Sequence, residues 1–376
     1  MDFAYSEEQN LLRNSVVRLL ADNYSFETFK KVSRGEPGWR PESWKQFAEL
    51  GLLGAPLPEA YGGLGGGPVE TMVVMEAFGR ALVVEPYVPT VVVGGGILQS
   101  AGSEAHKQEW LPKIAAGDAV LAFAFAEPQG RYNLADLAVT AKKQGSAYVL
   151  NGQKSVVIGA PFAHALIVTA RTAGARREEK GLSVFLVNRR ARGISTRDFP
   201  TVDGLRASEI TFENVEVPAD NLIGSPDDAL PLIEQIVDEA IAAHCAEALG
   251  AMRMLQESTV EFSKTRKQFG VPIGKFQALQ HRMVDMFMQV EQSASMTLMV
   301  TLKLGDSESA RKKAASAAKV QIGKAARFVG QNAVQIHGGM GMTDELALGH
   351  YFKRVTMIDT LYGNVDHHLK RYASLG

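Results

Sequence analysis

The chain reads as an α+β protein with its strands collected in the middle. Helices are expected over residues 1–118, a β domain over 119–223, and helices again over 224–376. Three observations predict this. Apolar residues recur at helical spacing in the first and last thirds. Short β-prone runs broken by Gly, Pro and Asn fill the centre. Strands and helices do not alternate, which argues for segregated α+β layers rather than a nucleotide-binding parallel sheet. No G-x-G-x-x-G follows an early strand, so any dinucleotide must be bound in another way.

The elements follow in order. Ser6-Glu7-Glu8-Gln9 opens a helix with capping chemistry, and Leu11, Leu12, Val16, Leu19 and Leu20 continue it. Trp44, Phe47, Leu50 and Leu53 give a second helical period. Pro58 to Gly67 is a loop, being too rich in Gly and Pro for a helix. Helices resume over Val69 to Ala81 and Glu104 to Ala115. Tyr148 to Val157 reads as two short strands around an Asn151-Gly152 hairpin turn. Ala165 to Thr169, Leu182 to Val187, Gly193 to Thr196, Ser208 to Phe212 and Val215 to Val217 follow as strands. Ala173 to Lys180, with its Arg-Arg-Glu-Glu-Lys run, is expected to be a solvated tip. Pro226-Asp227-Asp228 caps the return to helix, and Ala314 to Ile336 is a long helix ending at Gly338-Gly339-Met340-Gly341.

Composition bounds the function. Of 376 residues, 46% are hydrophobic and 22% charged, as in ordinary globular proteins. A net charge of -1 excludes a concentrated basic field for nucleic acid. No apolar run is long enough to cross a bilayer. The acidic start Met1-Asp2-Phe3-Ala4-Tyr5-Ser6 carries no export core, so the cytoplasm is the expected compartment. The single cysteine, Cys245, excludes an internal disulfide and reads as a buried small hydrophobe. His244, His281, His337, His350, His367 and His368 show no metal-ligand spacing on a shared helix face.

One stretch carries chemistry. Arg266 to Gln277 interrupts two amphipathic helices with Gly270-Val271-Pro272-Ile273-Gly274, so the chain turns there. Arg266 offers a permanently charged fork suited to phosphate, and the following helix start adds free N–H groups. Phe269 presents a flat apolar surface, and Gln277 can donate and accept toward a base edge. Together they can hold the pyrophosphate and adenine of a dinucleotide. On spacing alone a plain surface hairpin with an exposed Arg is the favoured reading.

With Gln335-Ile336-His337-Gly338-Gly339-Met340-Gly341 and Ala126-Glu127-Pro128, this stretch resembles the acyl-CoA dehydrogenase family along nearly the whole chain. Through Gly349 to Arg354 and Asp359 to His368 the chain also resembles the small subunit of pimeloyl-CoA dehydrogenase and related dehydrogenase subunits. The resemblance implies an N-terminal helical domain, a central β-barrel-like domain and a C-terminal four-helix bundle. It implies FAD lying across a dimer interface. Arg266, Phe269, Ile273 and Gln277 match positions holding the neighbouring chain's FAD, and Gln335, Gly338 and Gly339 match a second such contact. The implied reaction is α,β-desaturation of an acyl-CoA thioester: a carboxylate takes the α-proton, flavin takes the β-hydride, and an electron-transfer flavoprotein takes the electrons.

The chain departs from the family at the reacting end. The base position before Gly363 holds Tyr362, a phenol of pKa ~10 where the family has Glu. A second family position, counted back from Leu249-Gly250, falls on Ala240 beside Glu239. Glu239 is therefore the first candidate base, with Asp366 and Glu247 behind it. Flavin-ring contacts also differ: Ala126 replaces Thr, Val156-Val157-Ile158 replaces Trp-Ile-Thr, and Arg131 stands where small residues are usual. The expected function is thus one subunit of a heteromeric, α2β2 dehydrogenase with a degenerate site of its own and a homologous partner. Two alternatives stay open: a complete homo-oligomeric enzyme using Glu239 or Asp366, and a non-catalytic scaffold.

Overall fold

The computed structural model describes residues 4–375; the first three residues of the acidic start, Met1-Asp2-Phe3, lie outside them. The order of elements follows the expected helix–β–helix course. Helices α1 (Glu7–Asn23), α2 (Phe26–Arg34), α3 (Pro41–Glu49), α4 (Pro68–Ala81), α5 (Gly96–Ala101) and α6 (Glu104–Ala115) come first. Strands β1 (Leu121–Ala124), β2 (Thr140–Gln144), β3 (Ala147–Ile158), β4 (Ala165–Arg171), β5 (Leu182–Asn188), β6 (Ile194–Pro200), β7 (Arg206–Pro218) and β8 (Leu222–Ile223) follow. The chain ends in α7 (Leu230–Thr265), a two-strand ribbon of β9 (Lys267–Gln268) and β10 (Val271–Pro272), then α8 (Gln277–Leu302), α9 (Glu308–His337), α10 (Ala347–Thr360) and α11 (Val365–Ser374). Among the described residues no helix is long and apolar enough to cross a membrane.

Two compact units form. One gathers the residues up to Lys31, Pro68–Val83 and everything from Ile241 onward; the other gathers Val32–Gly67 and Val84–Ala240. In the first, α9 packs against α8, α10 and α11, and α1 packs on α4. Helix α1 starts as expected: Ser6 Oγ accepts from Gln9 N and Gln9 Oε1 accepts from Ser6 N, a reciprocal cap. The buried face of α9 is mostly small, with Ala314, Ala315, Ala318, Ala325, Ala326 and Ala333, so its neighbours approach closely. Cys245 is fully buried, and burial pushes its thiol up to about 12. It is an inert core group, as its apolar setting predicts.

Lys319 is a charged residue on that face. Its side chain is fully buried, and its ammonium donates to the carbonyls of Ile358 at 2.6 Å, Asp359 at 3.0 Å and Gly363 at 2.9 Å. It thereby caps α10, whose last carbonyls have no helical partner. Lys319→Met is expected to cost about 2 kcal/mol, because it strands buried carbonyls, offset in part by removing a buried ammonium. Urea unfolding followed by circular dichroism checks this; an unchanged midpoint would contradict the capping role.

In the second unit the strands run β6-β7-β3-β2-β4-β5-β8, with β1 added in parallel to β4. This is the central sheet domain that the resemblance implied, β-barrel-like only loosely, since the sheet does not close. Its core is Val139, Leu150, Phe185, Phe212, Val215 and their neighbours. Here Asn151-Gly152 is a correction. It is no turn: β3 runs through it without a break, and the reversal from β2 is at Gly145, with φ +58. The register against β7 shifts between Leu150 and Gly152, so the pair forms a bulge. Gly152 has φ +134, and a Cβ there would lie 2.9 Å from Val139 Cα. Asn151 Oδ1 accepts from Asn214 N at 2.8 Å, using the displaced backbone donor opposite. The two short strands expected at 208–217 are likewise one strand, β7.

The charged loop after β4 is also more ordered than a solvated tip. Its side chains are exposed, but its backbone folds around Arg171, which is 6% exposed. That guanidinium donates to the carbonyls of Ala135, Ala173, Arg176, Glu178 and Lys180 at 2.7–3.2 Å. Arg176 and Arg177 both grip Asp136, holding its carboxyl down at about 2.

Candidate cofactor hairpin and base position

The Arg266–Gln277 stretch turns where its breakers require. Val271 pairs with Gln268 and Pro272 with Lys267, so Phe269 and Gly270 form the tip. Both have positive φ, +54 and +81, the signature of a tight primed turn that Gly accepts freely and Phe does not. Phe269 is nonetheless 92% exposed, touching Phe276 edge-on at 6.1 Å between ring centres. Arg266 is exposed and makes no ion pair among the described residues, while Ile273 N donates to its carbonyl at 2.8 Å. Gln277 is exposed at the first position of α8. Ile273 differs from the other three residues: it is 8% exposed and anchors the hairpin rather than offering a surface.

The second stretch ends α9. Gln335 is exposed on the last turn, Gly338 closes the helix with φ +61 and opens a short 3₁₀ turn, Gly338–Met342, in which Gly339 is the second residue. A Cβ on Gly338 or Gly339 would meet nothing within 4 Å. Gly339 has no positive φ either, so nothing within this chain demands a glycine there.

At the base position, Tyr362 sits in the α10–α11 connection with φ +55. Burial pushes its phenol well above the ordinary range, so it stays neutral. The ring of His244 lies 5.9 Å away. His244 Nδ1 is 2.9 Å from Glu247 Oε2, and Glu247 Oε1 is 2.6 Å from Arg354 Nη1, which also donates to Val83 O at 2.9 Å. Burial raises the Glu247 carboxyl, but Arg354 and His244 more than reverse this and hold it below its ordinary value. This argues against Glu247 as a candidate base: its carboxylate is committed to the Arg354 guanidinium and to a hydrogen bond with His244, and is a poor proton acceptor. Spacing of i, i+3 on one helix could have flagged His244 with Glu247; nothing local could have flagged Arg354.

The other two carboxylates lie apart. Glu239 belongs to the sheet-containing unit, is half-buried, and accepts from Gln235 Nε2 at 3.1 Å. Its Oε2 stands 3.2 Å from where a Cβ on Gly96 would be, so it faces the start of α5. Asp366 is exposed in the first turn of α11. It borders a cavity of about 340 Å³ that Lys324, Arg327, Gln331 and Asn364 also line.

The ring-side positions are built but altered. Glu127 is 5% exposed and accepts from Lys154 Nζ at 2.8 Å, Gln129 Nε2 at 2.6 Å and Ala138 N at 2.6 Å. Lys154 is fully buried, and burial pulls its ammonium down to about 8 although Glu127 opposes this. Glu127-Pro128 is therefore a structural anchor. Val156 follows in a bulge with φ +50 and is 45% exposed, and Arg131 is exposed with φ +47. Among the described residues no group of three or more His, Cys, Asp or Glu side chains is gathered as for a metal ion.

Comparison with known proteins agrees along the chain. The acyl-CoA dehydrogenase N-terminal domain matches residues 6–118, the middle domain 122–215 and the C-terminal domain 231–374. Acyl-CoA dehydrogenase FadE12 of Mycobacterium tuberculosis is 32% identical over 91% of this chain and 89% of its own. A solved steroid acyl-CoA dehydrogenase variant, Tcur3481-Tcur3483, superposes with a TM-score of 0.89 at 28% identity, covering 98% of this chain and 97% of that one. The ChsE4-ChsE5 complex of Mycobacterium tuberculosis gives 0.90 at 25%, covering 100% and 98%. The chain belongs to the acyl-CoA dehydrogenase family, FAD-dependent oxidoreductases that act on the CH–CH bond of an acyl-CoA thioester.

Proposed function

We propose that this chain is one subunit of a heteromeric acyl-CoA dehydrogenase, with a degenerate site of its own, and that it lends its hairpin to FAD whose reactive ring lies in a homologous partner. One contrast carries the reading. The segments matching a neighbour's FAD contacts are present and largely exposed, whereas the base position holds a half-buried, neutral tyrosine. FAD, when bound, supplies the acceptor for the substrate's hydride. Arg266 would face its pyrophosphate, Phe269 its flat surfaces and Gln277 a base edge. Gln335, Gly338 and Gly339 would let backbone approach it closely, which fits the empty space beside both glycines. Two of the similar solved structures carry paired chain names, Tcur3481-Tcur3483 and ChsE4-ChsE5, and this supports an assembly of two related chains. The reading takes a α2β2 form in the cytoplasm, an acyl-CoA substrate and an electron-transfer flavoprotein as acceptor.

The test is to purify the chain alone and together with a neighbour-encoded homologue, then count FAD per chain by absorbance. One FAD per pair of unlike chains is expected. Full FAD and full turnover by this chain alone would overturn the reading. In the assembly, Arg266→Ala is expected to weaken FAD binding about 10- to 150-fold, the effect of losing a charged hydrogen bond to phosphate. A scaffold that merely extends the partner's bundle would tolerate that change.

A further inference from the structure

The two segments proposed to meet FAD are far apart in sequence, and each is tied chiefly to its own helices. The hairpin leans on α7 and α8: a Cβ on Gly274 would lie 2.9 Å from Ser263 Oγ, and Gln280 Nε2 donates to Gly274 O at 2.8 Å. The turn after α9 folds back on that helix: a Cβ on Gly341 would lie 2.9 Å from Val334 O.

One contact crosses between them. The rings of Phe262 and His337 stack at 4.2 Å between centres and 24° between planes. Phe262 is on the last turn of α7, and its carbonyl accepts from Arg266 N at 2.9 Å, where the hairpin begins. His337 is the last residue of α9, next to Gly338, where the second segment begins. His337 is 8% exposed, and its Nδ1 lies 2.8 Å from Ala333 O, which fixes the ring as an Nδ1–H donor to its own helix. Burial keeps this imidazole below the ordinary histidine value, so the stack is between two uncharged rings at neutral pH.

We infer that Phe262 and His337 form a strut that holds the Arg266–Gln277 hairpin and the Gln335–Gly339 segment in register for a shared dinucleotide. The inference rests on the hairpin-lending reading and adds a positioning residue to it. An exposed ribbon that had to be ordered at each binding event would lose affinity to that ordering, and a fixed spacing removes the loss. An offset ring pair contributes enough to change a binding constant about two- to tenfold.

The experiment uses the FAD-loaded assembly, with variants of this chain only: Arg266→Ala, His337→Ala, His337→Phe and Phe262→Leu. FAD release is followed by its fluorescence on dilution, and the hairpin by the rate of tryptic cleavage at Arg266, Lys267 and Lys275. His337→Ala and Phe262→Leu are expected to weaken FAD binding two- to tenfold and to speed cleavage. His337→Phe, which keeps a ring to stack, is expected to restore both. Phe262→Leu keeps the apolar packing, so it reads the stack even where His337→Ala folds poorly. Parental FAD binding in both, alongside a weakened Arg266→Ala, overturns the strut alone. Parental binding in Arg266→Ala overturns the hairpin reading itself.

Discussion

Arg354→Ala is expected to destabilise the protein by about 3–5 kcal/mol, the loss found when one partner of a buried ion pair is removed. The side chain of Arg354 is 1% exposed and that of Glu247 8%, so water does not screen the pair. Removing the guanidinium strands the Glu247 carboxylate with His244 alone and takes away the donor to Val83 O. The pH dependence gives a second signature. In the parent, the Glu247 carboxyl has its folded pKa below its unfolded value near 4.5. Its contribution is therefore fully present above that value and lost as pH falls through the lower, folded one. In Arg354→Ala, the largest cause that opposes burial is gone, so the folded pKa of the carboxyl rises and this gain in stability above about 4.5 shrinks. Urea midpoints at several pH values check both. A loss under about 1 kcal/mol at pH 7 would mean that the pair is solvated and that Glu247 returns as a candidate base. Replacing both partners by apolar residues of similar volume should recover much of the loss.

What the sequence made legible is what acts locally. Helical periods, the Ser6 cap and the Gly270-Pro272 breakers each depend on a few neighbouring residues, and the helix–β–helix order and the hairpin followed from them. The Asn151-Gly152 pair shows the limit. The same two residues suit a turn or a bulge, and only the strand opposite, through Asn214 and Val139, decides between them. Ile273 belongs to the same motif as the exposed Arg266, Phe269 and Gln277 but is buried, because position in a motif says nothing about which way a side chain faces. Arg171 and Lys319 collect carbonyls from separated segments, and Arg354 meets Glu247 from another helix. Such pairings exist only once the chain has folded, so a residue-by-residue reading passes over them. Whether the central sheet closes has the same origin, since closure depends on pairing between edges rather than on strand propensity.

Among the glycines inside helices, Gly79 and Gly250 set the largest steric demand, and Gly79→Ala or Gly250→Ala is each expected to cost about 3 kcal/mol or more. Propensity alone predicts the opposite: alanine in a helix interior is better than glycine by about 1 kcal/mol. Packing decides the sign. A Cβ on Gly79 of α4 would lie 1.9 Å from Glu247 O of α7, and a Cβ on Gly250 of α7 would lie 2.0 Å from Glu76 O of α4. The two glycines face each other's helix backbone, so no flexible side chain can yield and the helices must move apart. That movement strains the Arg80–Glu257 pair and the Arg253–Glu76 pair, which join the same helices. Overpacking of a rigid contact costs ~1–3 kcal/mol in ordinary cores, and backbone against backbone belongs at or above the top of that range. Because both substitutions open the same crossing, the double variant should lose less than the sum of the singles. Gly349 supplies the control: a Cβ there would come no nearer than 3.6 Å to Thr343 O, an ordinary contact. Gly349→Ala on α10 should therefore be neutral or stabilise by up to about 1 kcal/mol. Thermal and urea unfolding of the three variants decide the matter. If Gly79→Ala and Gly349→Ala shifted the midpoint alike, the close crossing of α4 and α7 would not hold in solution.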